Sequence, residues 1–151
     1  MLAACGGGGG VEVVGSAPPV RTVTLKLATT GTASAAMGGI GISIVLPAGV
    51  TPLLNTDGTV GAAVVVVSGV ATPGTVAPPA YVAASGATQA TLQFVMASTA
   101  PAGFPAGEFA TLVLNLAGTT TPVSGDFILS GFIPTNILGN PVTGLTTEVS
   151  S

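Results

Sequence analysis

The sequence predicts an all-β domain, a sandwich or barrel of short strands. Apolar residues recur at every second position in successive runs between Val23 and Val149. Clusters of Gly, Pro, Asn and Asp separate these runs, drawn from 23 Gly and 12 Pro in 151 residues. No long window carries a helical apolar period. β-Branched residues are plentiful and charge is scarce, the reverse of a disordered chain.

Residues 1–20 are expected to form a leader, and residues 21–151 the domain. The leader opens "LAACGGGGG" and ends "GSAPP". Polyglycine has no side chains to bury and loses the most entropy on ordering, so residues 6–10 suit a tether. Pro18 and Pro19 make a stiffer stop before the first strand.

The strands follow in order. In "RTVTLKLA", Val23, Leu25 and Leu27 share one face, with Thr22, Thr24 and Lys26 on the other. In "GIGISIVL", Ile40, Ile42, Ile44 and Leu46 alternate with Gly41, Ser43 and Val45. "AAVVVV" is continuously apolar, as a central strand buried on both faces would be. "LQFVMA" offers Leu92, Phe94 and Met96; its window also fits a helical face, but the alternation favours a strand. Residues 83–90 leave room for a single helical turn. "EFATLVLNL" sets Leu112, Leu114 and Leu116 opposite Thr111, Val113 and Asn115, and "GDFILSGF" and "GLTTEV" close the chain. Edge strands are normally guarded by charge or cover. "AAVVVV" and "LQFVMA" have no charge, so both are expected inside a sheet, with the least protected edge near the terminal strands; that edge, or the weakly charged sheet face beside it, is where a protein partner or another copy is expected to dock.

The composition excludes several functions. Charged residues are 5% of the chain, against roughly 25% in an ordinary domain. None lies between Asp57 and Glu108. Two basic residues and a net charge of −3 supply no nucleic-acid footprint and no polybasic lipid patch. The strongest apolar run, "VGAAVVVVSGVA", is too short to span a bilayer as a helix. One Tyr, five Phe and no Trp are too few for the aromatic girdles of a membrane barrel.

Catalytic and metal motifs are nearly absent. With no His, neither a His-based triad nor an imidazole metal site can form. The single Cys has no base beside it. The five carboxylates lack the aromatic and polar surroundings of a glycosidase pair. "NTDGT" (Asn55, Asp57, Thr59) begins like a calcium loop but lacks the later acidic ligands, so it reads as an Asp-Gly turn. Glu108 reads as a solvated charge at a strand start and Phe109 as core, and Asp126 and Phe127 read the same way. No catalytic residue, cofactor or metal site is expected.

"GFPAGEFATLVLNL" resembles the cohesin domain at its G-x-F-A-T-I strand. Other segments fall in compatible order. "RTVTLKLATT" looks like a first strand. "GGIGISIVLPAGVTPL" looks like an alternating strand with its following turn, where Leu46, Pro47 and Ala48 replace the family's aromatic-acidic pattern. "DFILSGFIPTNILGNPVTGLTTEV" looks like the closing strand pair. The resemblance covers about residues 20 to 150. It implies a single jelly-roll β-sandwich of about nine strands, extracellular, binding a partner rather than transforming a substrate. No dockerin-contacting residue carries over.

The order Leu2-Ala3-Ala4-Cys5-Gly6 resembles the lipobox of bacterial lipoproteins. That implies lipidation of Cys5 and a surface-anchored domain behind the glycine tether. Only four residues precede Cys5, so the export signal is expected upstream of Met1. One cysteine, placed in the anchor, also suits an exported fold without disulfides.

Together these point to a non-catalytic, surface-tethered, cohesin-like module for protein–protein attachment. Its expected partner is dockerin-like or another surface protein. A carbohydrate-binding module linked to polysaccharide degradation is the alternative, and it would need exposed aromatic rings in a row on one sheet face. A self-assembling structural subunit of the cell surface is the third reading.

Overall fold

A computed structural model describes residues 20–151. Cys5, the lipobox-like stretch around it and the glycine run expected to act as a tether lie outside the described residues. The described chain is an all-β sandwich, as the two-residue alternation predicts, with 55% of it in strands and 5% in helix.

Among the described residues ten strands follow one another: β1 Arg21–Gly31, β2 Met37–Leu46, β3 Val50–Pro52, β4 Val65–Val67, β5 Gly74–Val76, β6 Ala80–Val82, β7 Ala90–Ser98, β8 Glu108–Leu116, β9 Ile128–Asn136 and β10 Leu145–Ser150. They make two antiparallel five-stranded sheets. Sheet I has the order β9-β2-β7, with β5 and β6 both paired to the far side of β7. Sheet II has the order β10-β1-β8, with β3 and β4 both paired to the far side of β8. Each sheet is therefore three long strands plus one edge split into two three-residue pieces. The split raises the number of strands to ten, against the nine or so expected.

Alternation sorts the side chains between core and surface. Leu25 and Leu27 of β1, Ile40, Ile42 and Ile44 of β2, and Leu92, Phe94 and Met96 of β7 are buried. Each such side chain contributes roughly 1.5–3 kcal/mol on leaving water. The sheets close on this layer, joined by Phe109, Leu112 and Leu114 of β8. Thr29 is the one buried polar residue among those described. Its hydroxyl accepts from the Gly107 backbone N–H at 3.2 Å, so its burial is compensated.

Three register shifts interrupt the strand ladders, and two of them set which way a side chain faces. In β8 the register slips between Leu27–Ala110 and Ala28–Glu108. The extra residue lets consecutive Phe109 and Ala110 both be buried, and returns Glu108 to the surface beside Lys26. In β9 the register slips between Ser130–Ser43 and Ile133–Gly41, and Gly131 sits there at φ +60°. Strict alternation from Ser130 would expose Phe132 and bury Ile133. The bulge reverses both, so Phe132 packs against the core and Ile133 is exposed.

One strand expectation is corrected. "LQFVMA" is internal, between β2 and the split edge, but "AAVVVV" is not. Only Val65–Val67 pairs, at the edge of sheet II, and Val66 is exposed. A turn over Gly61 to Val64 (Val64 N to Gly61 O, 3.1 Å) and the short 3-10 turn Gly69–Ala71 bound it. Three residues are too short to template another chain, so brevity replaces charge as edge protection. The terminal strands β9 and β10 form the opposite edges. The second half of β9 is covered by the returning chain, with Val142 N donating to Pro134 O at 3.0 Å and Asn136 N to Asn140 O at 2.8 Å. Residues 83–90 hold a tight β-turn, with Ser85 and Thr88 exchanging backbone hydrogen bonds at 3.0 and 2.9 Å, in place of a helical turn.

Candidate functional site

The Asp-Gly segment is a self-contained turn. The Thr59 hydroxyl donates to Asp57 Oδ1 at 2.6 Å and the Thr59 N–H at 3.0 Å. These two bonds, the hydroxyl's above all, hold the Asp57 carboxyl below the ordinary carboxylate range. The carboxylate is used inside the turn. No group of three His, Cys, Asp or Glu side chains comes together among the described residues. Asp126 Oδ2 likewise accepts from Val123 N at 2.9 Å and closes the turn before β9. Glu108 faces Lys26 at 3.7 Å across the surface of sheet II, an exposed pair of small energetic weight. No helix of the described residues is long and apolar enough to cross a membrane.

Aromatic side chains offer no platform. Phe94, Phe104, Phe109 and Phe127 are buried, and Phe132 and Tyr81 are half-buried against the core. No row of exposed rings exists on either sheet among the described residues.

The charges divide between the sheets. Arg21 and Lys26 of β1, Glu108 of β8 and Glu148 of β10 all belong to sheet II. The five strands of sheet I contain no Asp, Glu, Lys or Arg. The outer face of sheet II is a threonine-rich polar surface, with Thr22 and Thr24 beside Asn115 and Val113.

The outer face of sheet I differs in chemistry and relief. With Ile40, Ile42 and Ile44 turned inward, Gly39, Gly41, Ser43 and Val45 of β2 face outward. Their neighbours on β7 are Ala97, Val95, Gln93 and Thr91, and on β9 Thr135, Ile133, Ser130 and Ile128. The β2 glycines leave a bare strip of backbone between Val95, 54% exposed, and Ile133, 62% exposed. Ile137 and Pro101 close one end of the resulting depression, whose volume is about 610 Å³.

The glycines of this floor have different reasons to be there. A Cβ at Gly38 would stand 2.8 Å from Ile137 Cα, and one at Gly39 would stand 2.9 Å from Met96 O, so packing excludes both. A Cβ at Gly41 would meet only Val95 Cγ2 at 3.7 Å and Ile133 Cβ at 3.9 Å, ordinary contacts. Gly in a strand interior weakens the strand through entropy and lost packing. The fold has no steric need for Gly41, which lines the depression together with Gly38 and Gly39.

The chain matches no family model, no curated protein and no solved structure.

The sequence reading expected docking at the terminal-strand edge or on the weakly charged sheet face beside it, but treated Gly41 only as the outward partner of a buried isoleucine. A signal was present. Gly39, Gly41 and Ser43 at two-residue spacing put small residues on one side of a strand whose other side carries Ile40, Ile42 and Ile44. Ile133 could not be placed from sequence, because the bulge at Gly131 reverses its direction.

Proposed function

We propose that the chain is a non-catalytic attachment module that docks a protein on the outer face of sheet I. The observation that carries this is the open glycine floor at Gly41 between exposed Val95 and Ile133, on a sheet without a charged residue. Exposed apolar surface framed by polar side chains is the character of protein-binding patches. Here Ser43, Gln93, Ser130 and Thr135 supply the polar frame. The resemblance of "GEFATL" to cohesins supports the same class of role, and a lipid on Cys5 would hold the module at a cell surface. Carbohydrate recognition through stacked rings draws no support from the inward-facing phenylalanines.

A photo-crosslinking amino acid at Gln93, on the outer face of sheet I, and another at Thr24, on the outer face of sheet II, test the reading in the cells that make the protein. Protein adducts are expected from Gln93 and not from Thr24, and are expected to vanish in Gly41→Val. Adducts from both positions alike, from Thr24 alone, or from neither would overturn it.

A further inference from the structure

We infer that Ile137 and Leu138, at the tip of the turn after β9, are the anchor side chains of the docking surface, inserted together into an uncharged apolar pocket of the partner protein. This rests on the reading of sheet I as the docking face and names the residues and the partner chemistry that hold the contact.

The residues at the tip depart from ordinary turn chemistry. Turns favour Gly, Pro, Asn, Asp and Ser. Asn136, Gly139 and Asn140 obey this, but the two residues between them are aliphatic. Ile137 is 56% exposed and Leu138 80%, the most exposed large apolar side chain among the described residues. Neither belongs to the core or packs against it. The fold therefore gains little from either, and their apolar surface is left for a contact outside the domain.

The tip is also shaped in advance. Asn136 Oδ1 accepts from the Leu138 N–H at 2.9 Å and the Asn140 N–H at 3.0 Å. The Gly139 N–H donates to Asn136 O at 3.0 Å, and the Asn136 N–H to Asn140 O at 2.8 Å. A Cβ at Gly38 would stand 2.8 Å from Ile137 Cα, so the turn lies directly on β2. Side chains presented by a turn held in this way lose little freedom on binding.

The surroundings select the partner. Three loops close this end of the sandwich, residues 32–36, 99–107 and 137–144, and none contains Asp, Glu, Lys or Arg. Glu108, which follows the second loop, faces Lys26 on sheet II. A charged partner surface would lose its water at the tip with nothing to pair it. A bilayer is a poor fit as well. Segments that lie in the membrane interface use Lys, Arg, Trp and Tyr. These loops have none of the four, and their single ring, Phe104, is buried. The tip also stands at the opposite end of the sandwich from Arg21, where the chain from Cys5 enters. Asn136 pairs with Met37 at one end of β2, and Leu46 ends β2 roughly 30 Å away. Val50, just after that end, pairs with Leu116, as Arg21 does. A lipid on Cys5 would therefore attach at the end remote from the tip. An uncharged apolar protein pocket is the surface that fits, and the depression beside Ile137 has room for its rim.

Ile137→Ser and Leu138→Ser, singly and together, test this in the cells that make the protein, with the photo-crosslinking amino acid at Gln93. The double variant is expected to cut the Gln93 adducts at least tenfold and each single variant at least threefold, with the urea midpoint of wild type. Val123→Ser removes a side chain of similar exposure (63%) in the loop before β9, at the other end, and is expected to leave the adducts unchanged. The crosslinker moved to Leu138 is expected to capture the same protein as at Gln93. Capture of a different protein there, or of a second copy of the chain, would overturn the inference. So would a lowered urea midpoint in the single variants, which would make the pair structural. Purified wild type is expected not to float with phosphatidylcholine vesicles, with or without phosphatidylglycerol; flotation that the double variant abolishes would make the tip a membrane contact instead. Gln93 adducts undiminished in the double variant would remove the anchor role and leave the attachment reading standing. Absence of any Gln93 adduct from wild type would remove the attachment reading and the anchor with it.

Discussion

Gly41 is the residue at which stability and binding make opposite demands. Its backbone is not in the left-handed region, and a Cβ there meets only side-chain atoms at ordinary distance. Gly41→Ala is therefore expected to raise stability by about 0.5–1 kcal/mol, read as a higher urea midpoint at unchanged slope. It is expected at the same time to reduce the protein adducts formed from Gln93. A variant less stable than wild type would show that the glycine is structural after all. Residue-scale reasoning from sequence worked where a side chain had one dominant preference. Ile40, Ile42 and Ile44 are buried because nothing on the other face competes for the interior. It did not reach Gly41, because a glycine has no side chain whose environment the pattern could report.

At the scale of elements, the bulge at Gly131 determines what sheet I presents. Gly131 sits at φ +60°, where an L side chain costs roughly 1–2 kcal/mol. A Cβ there would meet only Ser43 Cβ at 3.9 Å, so backbone conformation rather than crowding sets the penalty. Gly131→Ala is expected to lower unfolding free energy by that amount, measured by urea denaturation. Unchanged stability would mean that the strand accommodates a different register. The long strands were legible because period-two alternation over nine to eleven residues is hard to mimic. The short ones were not. Val65–Val67 belongs to a run whose composition suits a buried central strand, yet the turn at residues 61–64 and the 3-10 turn after it leave only three residues to pair. Strand length is set by the turns around it, and hydropathy alone does not report that.

For the whole molecule, the separation of charge gives one polar, charged sheet and one uncharged sheet, back to back across a common core. The proposed anchor at Cys5 and the proposed docking face on sheet I would together suit attachment at a surface. The tether is tested separately. When the chain is expressed in a bacterial host behind a secretory leader, Cys5 is expected to carry acyl mass in the membrane fraction, and Cys5→Ser to release the protein to the soluble fraction. Acyl chains anchor by about 0.8 kcal/mol per buried methylene, so the change of fraction should be large. A wild-type chain with a free thiol in the soluble fraction would remove the lipid anchor and leave the fold and the docking face untouched. The sequence by itself determined the all-β class, the inward residues of β1, β2, β7 and β8, the lack of His-based chemistry and the scarcity of charge, since each depends on residue type and local period. Only the tertiary structure decided which strands share a sheet. That placed every charge in a strand on sheet II and made a single open depression of Gly41, Val95 and Ile133, three residues far apart in the chain. Strand pairing joins distant segments through backbone hydrogen bonds that nearly every residue can make, so side-chain identity alone does not encode it.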